Sequence, residues 1–351
     1  MSTLDDVILD EGLRRLAGTG PEFGGGLSNH GPMAAEALLR LGRADEIGEW
    51  LDGYIARLDE APRPGDRITG ANWRDALGDL RRAADWEVWF RARIAASGWR
   101  AVLGQWWPRL LPGLAAGATH GIIRTSHAAR SLADAAAAAG TAEREAELAR
   151  GLAYWAAGYT ELPGTPRTRG TLDLDAALGG LPRAPEIPRR NLITETLGAG
   201  LSAQPGFPAA LGALRPPGDV AAGLYALARE FAGVFLVYGR ARPIALLHAV
   251  TAPVAARSVL PLLDESAARP TYDALWQIGA AVYTVYTGAL TPEPLPSGPP
   301  APPDVLADRA VAAGDEHAIK LTEACLRLHK ERPDPLLLHA AARASDLLGR
   351  D

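Results

Sequence analysis

An all-α fold follows from two features of the chain: Ala-rich segments carry apolar residues at three- and four-residue spacing, and alternating strand-like runs are scarce. Size agrees, because 351 residues of which 48% are hydrophobic and 22% charged suffice for one large domain or two ordinary ones with a real core. The expected architecture is a multi-helix single large domain, 1–351. It has two lobes, roughly 1–161 and 192–351, joined by the Pro/Gly-rich stretch 162–191.

In order, residues 4 to 17 predict a first helix with Val7, Ile8, Leu13 and Leu16 as its apolar stripe. The glycine-rich loop Gly18 to Asn29 follows, and Asn29 or Ser28 can cap a helix that begins near Pro32. His30 then sits at a helix mouth. Helices over 31–41 and 44–58 form a hairpin that Ala61-Pro-Arg-Pro-Gly-Asp66 ends. Trp73, Trp86, Trp89, Phe90, Trp99, Trp106 and Trp107 come next, a cluster suited either to a core or to the wall of a pocket for a flat ligand. A helix from His120 runs into the Ala133–Ala139 tract and stops at Gly140; another covers 141 to about 159. The connection 162–191 holds one short helix near 173–178. Helices near 192–202, 206–213 and 218–238 open the second half, and Pro253 kinks or ends the one that carries His248. Tyr272, Trp276, Gly279, Tyr283 and Tyr286 recur at helical spacing, and the seven prolines of Thr291 to Asp304 make an extended surface connection.

Composition narrows the function. Acidic residues outnumber basic ones, 41 to 36, with no basic stripe, which argues against nucleic acid as a partner. The single cysteine, Cys325, excludes an internal disulfide, and the acidic start does not read as a signal peptide. The apolar runs Phe231 to Tyr238 and Ile278 to Tyr286 are too short, or too rich in Gly and Thr, for a membrane span. A cytoplasmic location with no membrane partner is therefore expected. No Gly-x-Gly-x-x-Gly follows a strand, so no built-in nicotinamide or flavin site is expected.

Chemistry centres on the histidines. His120 and His127 lie seven residues apart, two helical turns, so their rings fall within about 20° of one face and roughly 10 Å apart along the axis. Both reach a single ion only by leaning toward a point between them, which a break at Gly121 would ease; otherwise they are hydrogen-bonded core residues. His317 and Lys320 are one turn apart. Lysine is rare, with two against 34 arginines, and Lys320 between Ile319 and Leu321 is either functional or a surface lysine paired with Glu316 or Glu323. His329 and His339 receive no role.

Four blocks in this order resemble the questin oxidase-like family: Gly25-Gly-Leu-Ser-Asn-His-Gly-Pro-Met-Ala-Ala-Glu-Ala-Leu38, Gly117-Ala-Thr-His-Gly-Ile-Ile-Arg-Thr-Ser-His127, Leu247-His-Ala-Val-Thr-Ala-Pro253 and Asp315-Glu-His-Ala-Ile-Lys320. The resemblance runs from about residue 10 to 340. It implies a non-haem iron oxygenase in which the two lobes surround a central metal site, with Fe2+ and O2 used in Baeyer-Villiger-like ring opening or oxidative C–C cleavage of an anthraquinone-like polycyclic aromatic. The implied ligands are His30, His120, His127, His248 and Lys320, the lysine as a carbamate formed with CO2. His317 is implied as an outer group beside the site, and Trp106, Trp107, Trp276 and Tyr283 as walls for the substrate. An external reductant such as NADPH would supply any reducing equivalents.

The residue chemistry is consistent with that set. Imidazoles with one added oxygen donor favour iron or manganese. Burial favours a neutral lysine amine, which can add CO2 and become a long-armed carboxylate. Two rivals are a zinc hydrolase built on a carboxylated lysine and a non-catalytic helical module whose histidines only pack.

Overall fold

A computed structural model describes residues 3–135 and 141–349. Among them are sixteen α-helices and one two-stranded ribbon. The all-α expectation holds. The chain divides into two compact units, Met1–Thr160 with Pro261–Leu263, and Glu161–Leu260 with Asp264–Asp351.

Unit 1 contains α1 (Thr3–Arg15), the antiparallel strands β1 (Glu22–Phe23) and β2 (Leu27–Ser28), α2 (Gly31–Arg40), α3 (Ile47–Ile55), α4 (Ala83–Ser97), α5 (Trp99–Leu110), α6 (His120–Asp134) and α7 (Ala142–Ala157). Its centre is α7, packed on α4 and α6, with α2 on the other side of α6. Close approach needs Gly121, where a Cβ would lie 2.8 Å from the Trp155 backbone. Charge ties the same helices together: Arg124 holds Glu147 with two bonds of 2.6 and 3.0 Å, and buried Arg144 reaches Asp6 and Asp10 of α1. That pull reorders the first stripe. Val7 is 58% exposed while Leu9, Leu13 and Leu16 are buried, because α1 turns Asp6 inward to Arg144. The Ala133–Ala139 tract continues α6 only to Asp134, and residues 136–140 lie outside the described ones.

Unit 2 contains α8 (Leu174–Gly179), α9 (Ile193–Ser202), α10 (Phe207–Leu211), α11 (Val220–Tyr238), α12 (Pro243–Val259), α13 (Glu265–Thr287), α14 (Pro303–Ala313), α15 (Glu316–Glu331) and α16 (Pro335–Leu348). Residues 162–191 pack as part of this unit: Gln277 donates to the carbonyls of Pro163 and Gly164, and Thr168 donates to Asp273 at 2.6 Å. Pro253 neither ends nor interrupts its helix, since α12 runs on for six residues. Buried neighbours on α11, α13 and α15 hold the turn that proline weakens. Two stretches, Val220–Tyr238 and Pro243–Leu262, are long and apolar enough to cross a membrane by length and composition, contrary to the reading of the shorter run Phe231 to Tyr238. Their apolar windows are 50% and 72% buried, as in core helices of a helical protein.

Candidate metal centre

In unit 1 the sequence delivers His30 and His120 to one point by two different devices. His30 is the N-cap of α2, so its backbone is already turned into the helix while its side chain stands at the mouth. Of the two expected caps, Asn29 does accept at the helix start, from the amide of Gly31 at 3.0 Å, while the Ser28 hydroxyl pairs with that of Tyr154 at 2.6 Å. Tyr54 fixes the position, its hydroxyl accepting from the His30 amide at 2.7 Å and lying 3.4 Å from His30 Nδ1.

His120 begins α6 after three successive residues with positive φ: Gly117 at 51°, Ala118 at 55° and Thr119 at 76°. Two of these are not glycine, an arrangement that stores about 1 kcal/mol or more apiece. No break falls at Gly121, since α6 runs from His120 to Asp134; the chain bends before His120. Gly117 is required because a Cβ there would run into the Tyr154 hydroxyl. Its carbonyl accepts the His120 Nδ1 proton, which leaves the lone pair on Nε2. That Nε2 meets His30 Nε2 at 2.7 Å, with both rings buried.

His127 lies two turns along α6 and is held from behind. Its Nδ1 donates to Glu36 at 2.8 Å, and Glu36 also accepts from Arg130 and Arg40. Burial alone would raise the Glu36 carboxyl, but Arg130, His127 and Arg40 hold it well below its ordinary value. A carboxylate behind an imidazole fixes its tautomer and makes the far nitrogen a better donor. Sequence reasoning missed Glu36 and Tyr54. The one available signal was a lone glutamate in the otherwise apolar start of α2.

In unit 2, His248 Nδ1 donates to the Ile244 carbonyl at 2.6 Å, again leaving Nε2 with the lone pair. Burial, reinforced by His317 and Lys320, depresses its pKa well below the ordinary histidine value, so the ring is neutral. The His317 ring stands edge-on to it, 5.6 Å between centroids. Asp315 caps α15 by accepting from the amides of His317 and Ala318, and donor atoms of Asp315, Glu316 and His317 lie within 4.8 Å of one another. One turn on, Lys320 is 2% exposed, and Nζ has no hydrogen-bond partner among the described residues. Burial lowers its pKa to about 8, against the opposing pull of Glu316 and Asp315. A surface pairing with Glu323 is thereby overturned, and Glu323 bonds Arg327 at 3.1 Å.

The four aromatic residues expected to face a substrate are placed as follows. Trp106 packs edge-on to Trp73, Trp86 and Phe90, and Trp107 to Trp155. Trp276 donates to the Leu211 carbonyl at 3.1 Å, and the half-buried Tyr283 accepts from Arg183 at 2.9 Å. A cavity of about 550 Å³ in unit 2 has Tyr286 in its wall.

The family model of the questin oxidase-like proteins matches residues 27–172. Those residues include His30, His120, His127 and Glu36, so a buried histidine cluster stands inside the matched region of a family named for an oxidase. No curated protein matches the chain.

Proposed function

From the questin oxidase-like match over residues 27–172 we propose that the protein is an iron-dependent oxygenase. Its reaction is Baeyer-Villiger-like ring opening or oxidative C–C cleavage of a flat polycyclic aromatic, with dioxygen as co-substrate. The proposed ligands are those the family resemblance implies, His30, His120, His127, His248 and Lys320. The observation that carries the reading is the approach of two Nε2 atoms, His30 and His120, to 2.7 Å while a tyrosine and a carbonyl hold the rings from behind.

The donor set fits a borderline divalent ion such as ferrous iron. Neutral imidazoles present lone pairs at Nε2, and the unpartnered Lys320 amine, largely desolvated, can add CO2 to give a carbamate and release one proton. Bound iron supplies the one-electron chemistry that lets dioxygen react with an aromatic substrate. The chain contributes the rest. Glu36 keeps His127 in one tautomer, the Gly117 and Ile244 carbonyls do the same for His120 and His248, and burial excludes water from all of them. His317, against His248, is an orienting neighbour.

Metal analysis of protein purified without added metal, followed by oxygen uptake with an anthraquinone-type substrate, tests this. The expected result is iron near one per chain, lost in His120→Ala and in Lys320→Ala but retained in His339→Ala and Lys330→Ala. Protein that stays metal-free after anaerobic incubation with ferrous iron overturns the proposal. Zinc with hydrolysis in the absence of oxygen would replace it by a carbamate hydrolase.

A further inference from the structure

The cavity of about 550 Å³ in unit 2 has a one-sided charge. Arg189, Arg190 and Arg242 line it, no aspartate or glutamate does, and none of the three guanidiniums meets a carboxylate among the described residues. Their recorded bonds are local: Arg190 donates to the Arg189 carbonyl and Arg242 to that of Ala241. Glu195, on the exposed side of the first turn of α9, is not part of the wall.

Two helix N-termini open on the same space. The first turn of α9 contributes Ile193 and Thr196, and that of α12 contributes Pro243, Ile244 and Ala245. Each adds partial positive charge from amides that have no partner inside the helix. The rest of the lining mixes apolar residues, among them Leu192, Ile193 and Ile244, with the buried Tyr286 and with Asn191 and Thr196. The volume lies within the range of small-molecule sites, and the lining combines apolar and aromatic surface with three cationic side chains.

We infer that this cavity binds a small apolar anion, a flat aromatic carboxylate, with the ring system against Tyr286 and the carboxylate held by Arg242 and Arg189. Arginine suits the role because its planar fork matches a carboxylate with two parallel bonds. The placement also has a consequence for His248. Ile244 is both a wall of the cavity and the acceptor of the His248 Nδ1 proton, so the ligand lies one helical turn from that ring. This inference does not depend on the metal assignment.

Titration of metal-free protein with 2-naphthoate, followed by calorimetry, tests it. Naphthoate should bind with an affinity that falls with salt, and 2-naphthalenemethanol should bind more weakly. Arg242→Gln should weaken naphthoate by about tenfold, the double variant Arg189→Gln/Arg242→Gln further still, and the exposed control Arg309→Gln not at all. All three arginines are exposed, so these variants are expected to keep the wild-type circular dichroism. Equal naphthoate affinity in wild type and the double variant overturns the inference. So does inorganic phosphate competing as well as naphthoate, which would make the rim a bare charge patch. The proposed oxygenase activity can fail while this binding persists, and His120→Ala should leave it unchanged.

Discussion

The two histidine groups are buried to the same degree but differ in how far along the chain their supports come from. In unit 1 two of the three rings lean on groups from elsewhere in the chain, Tyr54 behind His30 and Glu36, 91 residues away, behind His127, while His120 rests on the nearby Gly117 carbonyl. In unit 2 the support is local, from Ile244 four residues before His248 and from the Asp315 cap two residues before His317. The polar network of unit 1 is closed by compensating charge, Glu36 against Arg130 and Arg40. Unit 2 instead leaves the Lys320 amine buried without a hydrogen bond. A paired buried charge stabilises only as long as every partner remains, whereas an unpaired buried amine is a standing cost that chemistry at that amine can relieve.

That contrast can be broken most sharply at Glu36. Glu36→Ala leaves Arg130 buried without its carboxylate and should lower stability by about 3–5 kcal/mol, read from urea denaturation; a loss below 1 kcal/mol would show that the network carries little. The opposite sign is expected at Lys320. In metal-free protein in CO2-free buffer, the folded amine titrates near 8 and the unfolded one near 10.4, so the unfolded chain binds the proton over that interval. Stability of the metal-free protein should therefore rise between about pH 8 and 10 and be flat just below it. Lys320→Met should abolish the slope and gain about 3 kcal/mol at pH 7, measured by denaturation at a series of pH values. Gly117→Ala should cost about 1–3 kcal/mol and shift the His120 ring signal in NMR spectra, since the added methyl displaces Tyr154. The smallest effect belongs to the local cap: Asp315→Ala should cost about 1 kcal/mol, and a loss as large as that of Glu36→Ala would erase the distinction between the two supports.

Much of this was legible in the residues. Periodicity placed the helices, and the rarity of lysine singled out Lys320, whose burial the structure then supplied. The misread positions share one cause. Val7 was assigned to the stripe because apolar spacing says nothing of an arginine 137 residues on that draws Asp6 inward. Pro253, read as a kink or an end, does not end its helix, which the packing of neighbouring helices allows to continue. Glu36 resembles any glutamate on a helix until Arg130 and His127 arrive beside it.

By itself, then, the amino-acid order determined the class of fold, the helix positions and which side chains were chemically able to bind a metal, because these depend on interactions within a few turns. The tertiary structure alone decided that the Nε2 atoms of His30 and His120 meet, which carboxylate stands behind His127, and that the Lys320 amine lies out of reach of water. Those outcomes depend on groups distant in sequence, and no local pattern records which of them folding will bring together.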